Sequence, residues 1–114
     1  MQTAIINLVN ESGDEVANYK INRLNVRDAL RRQRMFGLIK EEDEVMRGQL
    51  FAASSIACSL CDEKGNLVYP EKDYPELTAV DALMDMDFEV YNAIANAVME
   101  VNPPTSLKAK KKKS

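Results

Sequence analysis

The stretch from Glu41 to Tyr69 constrains the fold of this chain more than any other, because it joins a long helical pattern to a turn and an extended run. Its apolar residues recur three and four positions apart, which is typical of a helix with one broad buried face. This stripe comprises Met46, Leu50, Ala53, Ala57 and Leu60, widened by Val45, Ala52 and Ile56. Acids at positions 41–44 suit the positive end of a helix dipole. The pattern predicts one central helix that supports the rest of the chain.

A turn and a short β-prone run follow this helix. We expect the helix to halt at residues 62–66 (DEKGN), where Gly65 can adopt a positive φ and Asn66 tolerates one. The run Leu67–Tyr69 favours an extended segment, which Pro70 closes. The stretch therefore predicts one helix, one turn and one extended segment near 67–69.

Alternating apolar residues near the N-terminus predict a β-hairpin. The two inward sets are Ala4, Ile6 and Leu8 in the run Thr3–Val9, and Ala17, Tyr19 and Ile21 in the run Val16–Ile21. Between the runs, residues 10–14 (NESGD) have the composition of a turn. Because a two-stranded hairpin is marginal alone, we expect it to lie on a helix.

Three shorter helices are predicted from their capping residues. Each begins with an N-cap residue and carries an acid in or near its first turn, and the candidates are Asn25 with Asp28, Thr78 with Asp81, and Asp85 or Asp87. The predicted helices run from Asn25 to about Phe36, from Thr78 to Leu83 or Met84, and from Phe88 to Val101. Gly37 ends the first, and the proline pair after Asn102 ends the last.

Length and composition favour one small domain. A chain of 114 residues can bury one modest core, and 46% hydrophobic residues is ordinary for a soluble protein. Only 6% of the residues are aromatic, so we expect an aliphatic core with Met as adaptable filler. We predict a mainly α domain (α+β minor) over residues 1–102, with about four helices and the hairpin. The polar, basic segment 103–114 is predicted to be a disordered tail.

Membrane insertion is not expected. The apolar part of the central helix, residues 50–61, is too short to span a bilayer and contains three serines. The first four residues lack the basic start of a signal peptide. We therefore expect a cytoplasmic protein.

The residues that usually carry catalysis are scarce. The chain contains no His, which removes the commonest general base and metal ligand. Cys58 and Cys61 form a CxxC pair, but a structural zinc site needs four ligands and no further Cys is present. The pair lies at the C-terminal end of the predicted helix, where the dipole disfavours a thiolate. We expect two reduced cysteines in or near the core, no cofactor, no metal site and no enzymatic activity.

Charge is unevenly distributed, although the formal net charge is only −3. Arg23, Arg27, Arg31 and Arg34 can share one helical face, and Lys110, Lys111, Lys112 and Lys113 form most of a basic tail. Such a pattern favours contacts between copies of the chain or with a partner. The same basic residues suggest nucleic-acid binding as an alternative. The sequence pI near 5.0 and the absence of an interleaved aromatic platform weigh against this alternative.

The last predicted helix is apolar over a wide surface. Phe88, Tyr91, Ala95 and Val98 fall on one face, and Val90, Ile94, Ala97 and Val101 fall on an adjoining one. One of these faces is enough for a core. We therefore expect Val90, Ile94 and Val101 to contribute an apolar face for a partner.

From about Leu24 to Asn102 the chain resembles the tail assembly chaperones of long-tailed, lambda-like bacteriophages. The resemblance is carried by the order of features and by two segments, "ASSIACSLCDEKGNLVY" and "DYPELTAVDALMDMDFEVYNAIANAVMEVN", with a basic tail after them. It consists of pattern and order, without invariant catalytic residues.

This resemblance implies a small, mostly helical protein of the host cytoplasm that is absent from the mature virion. Such chaperones bind and solubilise the tape measure protein and promote assembly of tail tube protein around it. They also have a longer form made by −1 ribosomal frameshifting. Lys110 to Lys113 require A-rich codons, which suit a slippery site; the alternative is a solvated charge run.

Two functional hypotheses follow from the sequence. In the first, several copies of a chaperone line an elongated client, and weak apolar contacts add up through effective concentration. In this hypothesis the copies self-associate through the arginine face and an acidic face of the next copy. In the second, the chain is a small nucleic-acid-binding or regulatory protein that uses the Arg-rich helix and the Lys tail.

Overall fold

The computed structural model describes residues 3–103, which form four helices and a three-stranded antiparallel sheet. The strands are β1 (Thr3–Val9), β2 (Glu15–Asn22) and β3 (Leu60–Cys61), and the helices are α1 (Val26–Gly37), α2 (Glu44–Ser59), α3 (Thr78–Met84) and α4 (Phe88–Val101). The predicted mainly α fold class with a minor β part is confirmed. The predicted disordered tail lies outside the described residues, apart from Pro103.

The N-terminal hairpin is present, and its predicted inward residues face one another across the two strands. β1 pairs with β2 from Thr3 opposite Asn22 to Leu8 opposite Ala17. Ala4, Ile6 and Leu8 are half-buried against the core, and Ile21 of β2 is fully buried. Helix α4 contacts both strands. The hairpin is thus supported by a helix, as its marginal stability alone requires.

Two turns in the chain share one hydrogen-bond pattern. In residues 10–14 the side-chain oxygen of Asn10 accepts hydrogen bonds from the backbone N–H groups of Ser12 and Asp14. In residues 62–66 the Asp62 carboxylate accepts from the N–H groups two and four positions later, at 3.0 Å or less. Gly13 and Gly65 occupy the same position in each turn, with φ of 84° and 90°. Both turns were predicted from composition, and a short Asx side chain at the first position organises each one.

The central helix α2 changes character along its length. Its last seven residues, 53–59, are all buried, whereas Val45 and Met46 in its first turn are exposed. The predicted continuous buried stripe is therefore wrong at its N-terminal end. The small residues Ala, Ser and Cys of the buried part let α1, α3 and α4 approach closely. Two of the buried hydroxyls, on Ser54 and Ser59, donate to helix carbonyls four residues earlier.

The central helix ends two residues earlier than its apolar pattern predicts. Leu60 and Cys61 are extended and pair with Ile21 and Lys20 of β2. The predicted extended run at 67–69 adds one isolated bridge, between Leu67 and Cys61. Leu60 suits either a helix or a strand, and burial beside β2 selects the strand because tertiary packing outweighs propensity.

Helix capping agrees with the sequence at two of three predicted sites. The side chains of Asn25 and Asp87 accept hydrogen bonds from backbone N–H groups in the first turns of α1 and α4. Thr78 is not the N-cap of α3, since Leu77 occupies that position without a side-chain bond. The Thr78 hydroxyl instead donates to the Pro75 carbonyl at 2.6 Å. The hydroxyl therefore ties the start of α3 to the preceding loop.

Candidate functional site

The four predicted arginines do not form one exposed face. Arg23 precedes α1 and is exposed, and Arg27 is exposed within the helix. Arg34 is also exposed, but Arg31 lies between them with a side chain only 7% exposed. The predicted interaction face therefore lacks its central member, because α1 turns Arg31 towards α2.

Arg31 supplies a hydrogen-bond donor and a positive charge at the C-terminal end of α2. Its guanidinium donates to the Ala57 carbonyl and to the Tyr74 carbonyl, both at 3.4 Å. Its Nε also lies 3.6 Å from a Glu71 carboxylate oxygen. The last four carbonyls of a helix have no partner within the helix, and α2 has no basic residue in its own last turn. A cation from α1 thus supplies the charge that a helix C-terminus favours.

Other arginines are also held against the surface of the domain. The guanidinium of Arg32 lies 5.1 Å from the centre of the Phe51 ring, and that of Arg47 lies 5.1 Å from the Phe36 ring. The two rings meet edge to face at 5.1 Å. Cation–π contacts of this kind stabilise partly exposed positions. These arginines join α1 to α2.

The predicted partner face of α4 is part of the core. Ile94 is fully buried and Val101 nearly so, while Val90 is half-buried. The α4 residues that enter the core are Tyr91, Ile94, Val98 and Val101. Spacing of three, four and three residues places these four on one face, and the sheet and α2 cover that face. The prediction that Ile94 and Val101 are available to a partner is wrong.

An exposed apolar groove lies instead between α2, α3 and α4. We call it the Met–Phe groove; it has a volume of about 350 Å³ and is lined by Met46, Leu83, Met84, Met86, Phe88 and Tyr91, beside Gln49. Met46 is 47% exposed, Met84 48% and Phe88 74%. Large apolar side chains that meet in one exposed patch mark interaction surfaces more often than single ones do. This groove is therefore the candidate functional site.

Local structure explains why these side chains reach the surface. Helix α3 ends at Met84, and residues 85–87 connect it to α4. Asp87 caps α4, so Phe88 is the first helical residue and lies outside the core stripe. Tyr91, one turn later, is buried, and its hydroxyl donates to the Gln49 carbonyl at 3.4 Å. Burial raises the pKa of Tyr91 above its ordinary value. The floor of the groove is thereby joined to α2.

The surroundings of the Met–Phe groove are acidic. Segment 73–103 contains no Lys or Arg, and its acids are Asp73, Glu76, Asp81, Asp85, Asp87, Glu89 and Glu100. Asp85, Asp87 and Glu89 alternate with the groove residues Met84, Met86 and Phe88 along the chain and are exposed. Within residues 3–103, no basic side chain forms an ion pair with these three carboxylates. Asp87 and Glu89, however, line a separate cavity beside β1, and no acid is among the described residues that line the groove.

The CxxC pair is part of the interior. Cys58 and Cys61 are buried free thiols, which confirms their predicted place in the core. Burial raises the pKa of Cys58 from 9.0 to about 11, because the charged thiolate is desolvated. Burial and the adjacent Asp62 also raise the pKa of Cys61, whose sulfur accepts a hydrogen bond from the Asn22 amide. These thiols are poor nucleophiles at neutral pH.

The described part of the chain contains neither a metal-ligand cluster nor a membrane-spanning helix. Residues 3–103 contain no group of three or more Cys, Asp and Glu residues arranged to hold a metal ion. None of the described helices is long and apolar enough to cross a membrane. The predicted tail site, Lys110 to Lys113, lies outside the described residues.

Comparisons with known proteins do not extend these observations. No family model, curated protein or solved structure matches the chain. Sequence reasoning missed the Met–Phe groove because it assigned Met46 to a buried stripe and Phe88 to a core face. The acids that alternate with apolar residues at 84–89 were the available signal.

Proposed function

We propose that this protein is a phage tail assembly chaperone, and that it binds and solubilises the tape measure protein through the Met–Phe groove. The observation that carries the proposal is the exposed cluster of Met46, Met84 and Phe88, which meet in one apolar groove. Unbranched, polarizable Met side chains adapt to varied apolar partners, which suits a chaperone that holds a long client. The sequence resemblance supplies the identity of the client.

The rest of the proposal follows from the same resemblance. The protein acts in the host cytoplasm, promotes assembly of tail tube protein around the tape measure protein and is absent from the mature virion. A longer −1 frameshift product accompanies it, and copies self-associate along the client. Weak contacts from single copies then combine into tight binding by effective concentration.

The nucleic-acid alternative loses support from the arginines. Phosphate binding requires several basic groups on one accessible face. Arg31 is buried, and Arg34 lies 2.9 Å from Glu71. The remaining exposed arginines of the predicted face, Arg23 and Arg27, are too few to form a strong phosphate-binding surface without the tail.

Co-expression with the tape measure protein of the same phage tests the proposal. We expect the tape measure protein to become soluble and to co-purify with the wild-type chain. Phe88→Glu should reduce both effects, because it places a charge in the groove without disturbing the core. Val26→Glu is the matched control, since Val26 is 76% exposed on α1, away from the groove.

Two results would count against the proposal. A tape measure protein that stays insoluble beside the wild-type chain removes the chaperone function. Equal co-purification by the Phe88→Glu and Val26→Glu variants removes the groove as its site. Self-association has a separate test, since a chain that stays monomeric at low salt and high concentration contradicts that part of the proposal.

A further inference from the structure

The two edges of the sheet differ in length and in cover. The strand order β1-β2-β3 places β1 at one edge and β3 at the other. β1 extends over seven residues and pairs only with β2 among the described residues, so its second side presents unpaired backbone N–H and C=O groups. β3 is two residues long, and Cys61 forms a bridge with Leu67 on its second side. The Leu60 carbonyl also accepts a hydrogen bond from the Val68 N–H at 3.0 Å. The sheet therefore has one long open edge and one short, covered edge.

Strand β1 lacks the features that keep open edges from pairing. Edge strands of natural proteins commonly carry charged side chains or Pro, or contain a bulge. The sequence of β1, TAIINLV, has no charged residue and no Pro. The register shift of the hairpin follows Leu8 and skips Val16 of β2, so β1 itself has no extra residue. The open edge is thus regular, uncharged and able to pair with a further strand.

The inward side chains of β1 favour a second copy of β1 as that strand. Within the hairpin a small inward residue lies opposite a large one, as Ala4 does opposite Ile21 and Leu8 opposite Ala17. An antiparallel pair of β1 strands centred on Ile6 repeats this pattern, because Ala4 then lies opposite Leu8 of the second copy. This register pairs all seven residues and keeps inward residues opposite inward residues, as the two-residue period of a strand requires. It also brings no like charges together within the strands.

Helix α4 leaves room for a second copy beside β1. It contacts both β1 and β2 and therefore lies over this pair of strands. Because neighbouring strands are about 4.8 Å apart, the α4 helices of two paired copies would lie about 10 Å apart, which is a normal distance between packed helices. A cavity of about 650 Å³ separates β1 from α4, and Leu8, Val90 and Ala93 are among the residues that line it. Val90 is thus the one residue of the predicted α4 partner face that lies beside the open edge.

The two-fold axis keeps the acids near this edge apart. Asp87 and Glu89 line the same cavity as Leu8. Since Leu8 of one copy lies opposite Ala4 of the other, the two Leu8 positions are four residues, or about 13 Å, apart along the strands. This separation exceeds the screening length of about 8 Å at physiological ionic strength. The cavity acids of the two copies therefore oppose pairing only weakly.

We infer that β1 is a dimerisation edge: two copies of this chain pair through β1, antiparallel about a two-fold axis at Ile6, and form one six-stranded sheet. Because the β3 edge of each copy is covered, pairing stops at two copies and does not continue into a filament. The inference rests on the proposed function for the role of the dimer, since it names a contact for the proposed self-association. Each dimer carries two Met–Phe grooves, and the second groove binds the same client at a raised effective concentration.

Disulfide trapping in the full chain tests the register. Directly opposed residues of an antiparallel pair have Cα atoms about 4.5–5.5 Å apart, which is within the range of a disulfide bond. Ile6→Cys should therefore form a covalent dimer of two 12.8 kDa chains when oxidised with copper phenanthroline. Leu8→Cys is the matched control, because Leu8 is also half-buried on the inward face but lies about 13 Å from its counterpart. It should stay monomeric on the same non-reducing gel, as should the wild-type chain with its buried Cys58 and Cys61.

Sedimentation equilibrium tests the edge itself. Ile5 and Asn7 are exposed on the outward face, and in this register Ile5 lies opposite Asn7 of the second copy. Ile5→Glu with Asn7→Glu places like charges opposite each other at two positions, whereas Ile5→Glu with Asn7→Lys places opposite charges there. The first variant should dimerise about tenfold more weakly than the second. Val26→Glu with Gln33→Glu makes the same change in net charge as the first variant at exposed positions of α1, and it should dimerise like the wild type.

Four results would overturn the inference. They are a wild-type chain that sediments as a monomer at high concentration, equal dimerisation by the two variants of Ile5 and Asn7, trapping of Leu8→Cys as readily as Ile6→Cys, and larger particles that the double Glu variant leaves intact. If the chain is monomeric and the tape measure protein still co-purifies, the edge inference fails and the chaperone function stands. If the dimer forms and the tape measure protein stays insoluble, the edge inference stands and the chaperone function fails.

Discussion

Replacing Arg31 by Met should destabilise the domain far more than replacing Arg34 by Met, although Arg34 makes the shorter contact with Glu71. Both guanidinium groups meet the same Glu71 oxygen, at 3.6 Å from Arg31 and 2.9 Å from Arg34. The Arg34 side chain is 61% exposed and that of Glu71 56%, whereas Arg31 is 7% exposed. Water and salt therefore screen the Arg34 pair but not the remaining contacts of Arg31.

The size of the Arg31 effect comes mainly from the buried carbonyl of Ala57. Met keeps an unbranched apolar stem but leaves the buried Ala57 carbonyl without the Arg31 donor, which costs about 1–3 kcal/mol. Loss of the cation at the end of α2 adds about 0.3–1 kcal/mol. The exposed pair with Glu71 contributes about 0–1 kcal/mol for either arginine. We expect about 2–4 kcal/mol for Arg31→Met and under about 1 kcal/mol for Arg34→Met.

Urea unfolding followed by circular dichroism measures both values. With a slope of about 1–2 kcal/mol per molar urea, Arg31→Met should lower the midpoint by about 1–4 M. Arg34→Met should move the midpoint by less than about 1 M with the same slope. Equal losses for the two variants would refute the reasoning, because they would make the shared Glu71 contact the main contribution and the α2 carbonyl irrelevant.

Three further predictions concern stability. Burial raises the pKa of Cys58 from 9.0 to about 11, so the folded state keeps a proton that the unfolded chain loses, and the free energy of unfolding should fall between pH 9 and pH 11. Cys58→Ala should flatten that fall in pH-dependent unfolding curves, and an unchanged slope would contradict this. Gly48→Ala should stabilise the protein by about 0.5–1 kcal/mol, because Gly48 lies in α2 and a Cβ there meets nothing within 4 Å. Gly65→Ala should instead destabilise the protein by about 1 kcal/mol or more, because Gly65 has a φ of 90°, which Ala rarely adopts. Thermal melts should show a raised midpoint for Gly48→Ala and a lowered midpoint for Gly65→Ala. Asn102→Ala should lower the free energy of unfolding, measured in urea, by about 1–3 kcal/mol. The reason is that the Asn102 side chain accepts a hydrogen bond from the Leu24 N–H at 2.7 Å and donates one to the Asn22 carbonyl at 3.2 Å. A loss below about 0.5 kcal/mol would refute this prediction.

Local signals in the sequence were sufficient for the parts of the fold that depend on neighbouring residues. Both Gly-containing turns and the caps at Asn25 and Asp87 arise from interactions within five residues, and the hairpin strands adjoin the first of these turns; the structure has all of them where the sequence predicts. The strand at Leu60 was missed because its pairing partner, Ile21, is distant in the chain.

The candidate site was harder to predict for the same reason. A helical period shows that Met46 and Phe88 share a face with core residues, but not whether another element covers that face. The period also cannot distinguish Arg31, which turns inward to the Ala57 carbonyl, from Arg34, which stays at the surface. Only the packing of α1 against α2 makes that difference.

The link between Leu24 and Asn102 sets the order in which this domain can mature during translation. It joins residues 78 positions apart, and α4 delivers Ile94, Val98 and Val101 to the core only after everything before it has been synthesised. The nascent chain therefore exposes the inner side of β1, β2 and α2 until its last helix arrives. Fragments that end before position 102 would keep these apolar surfaces exposed and would therefore be prone to aggregation.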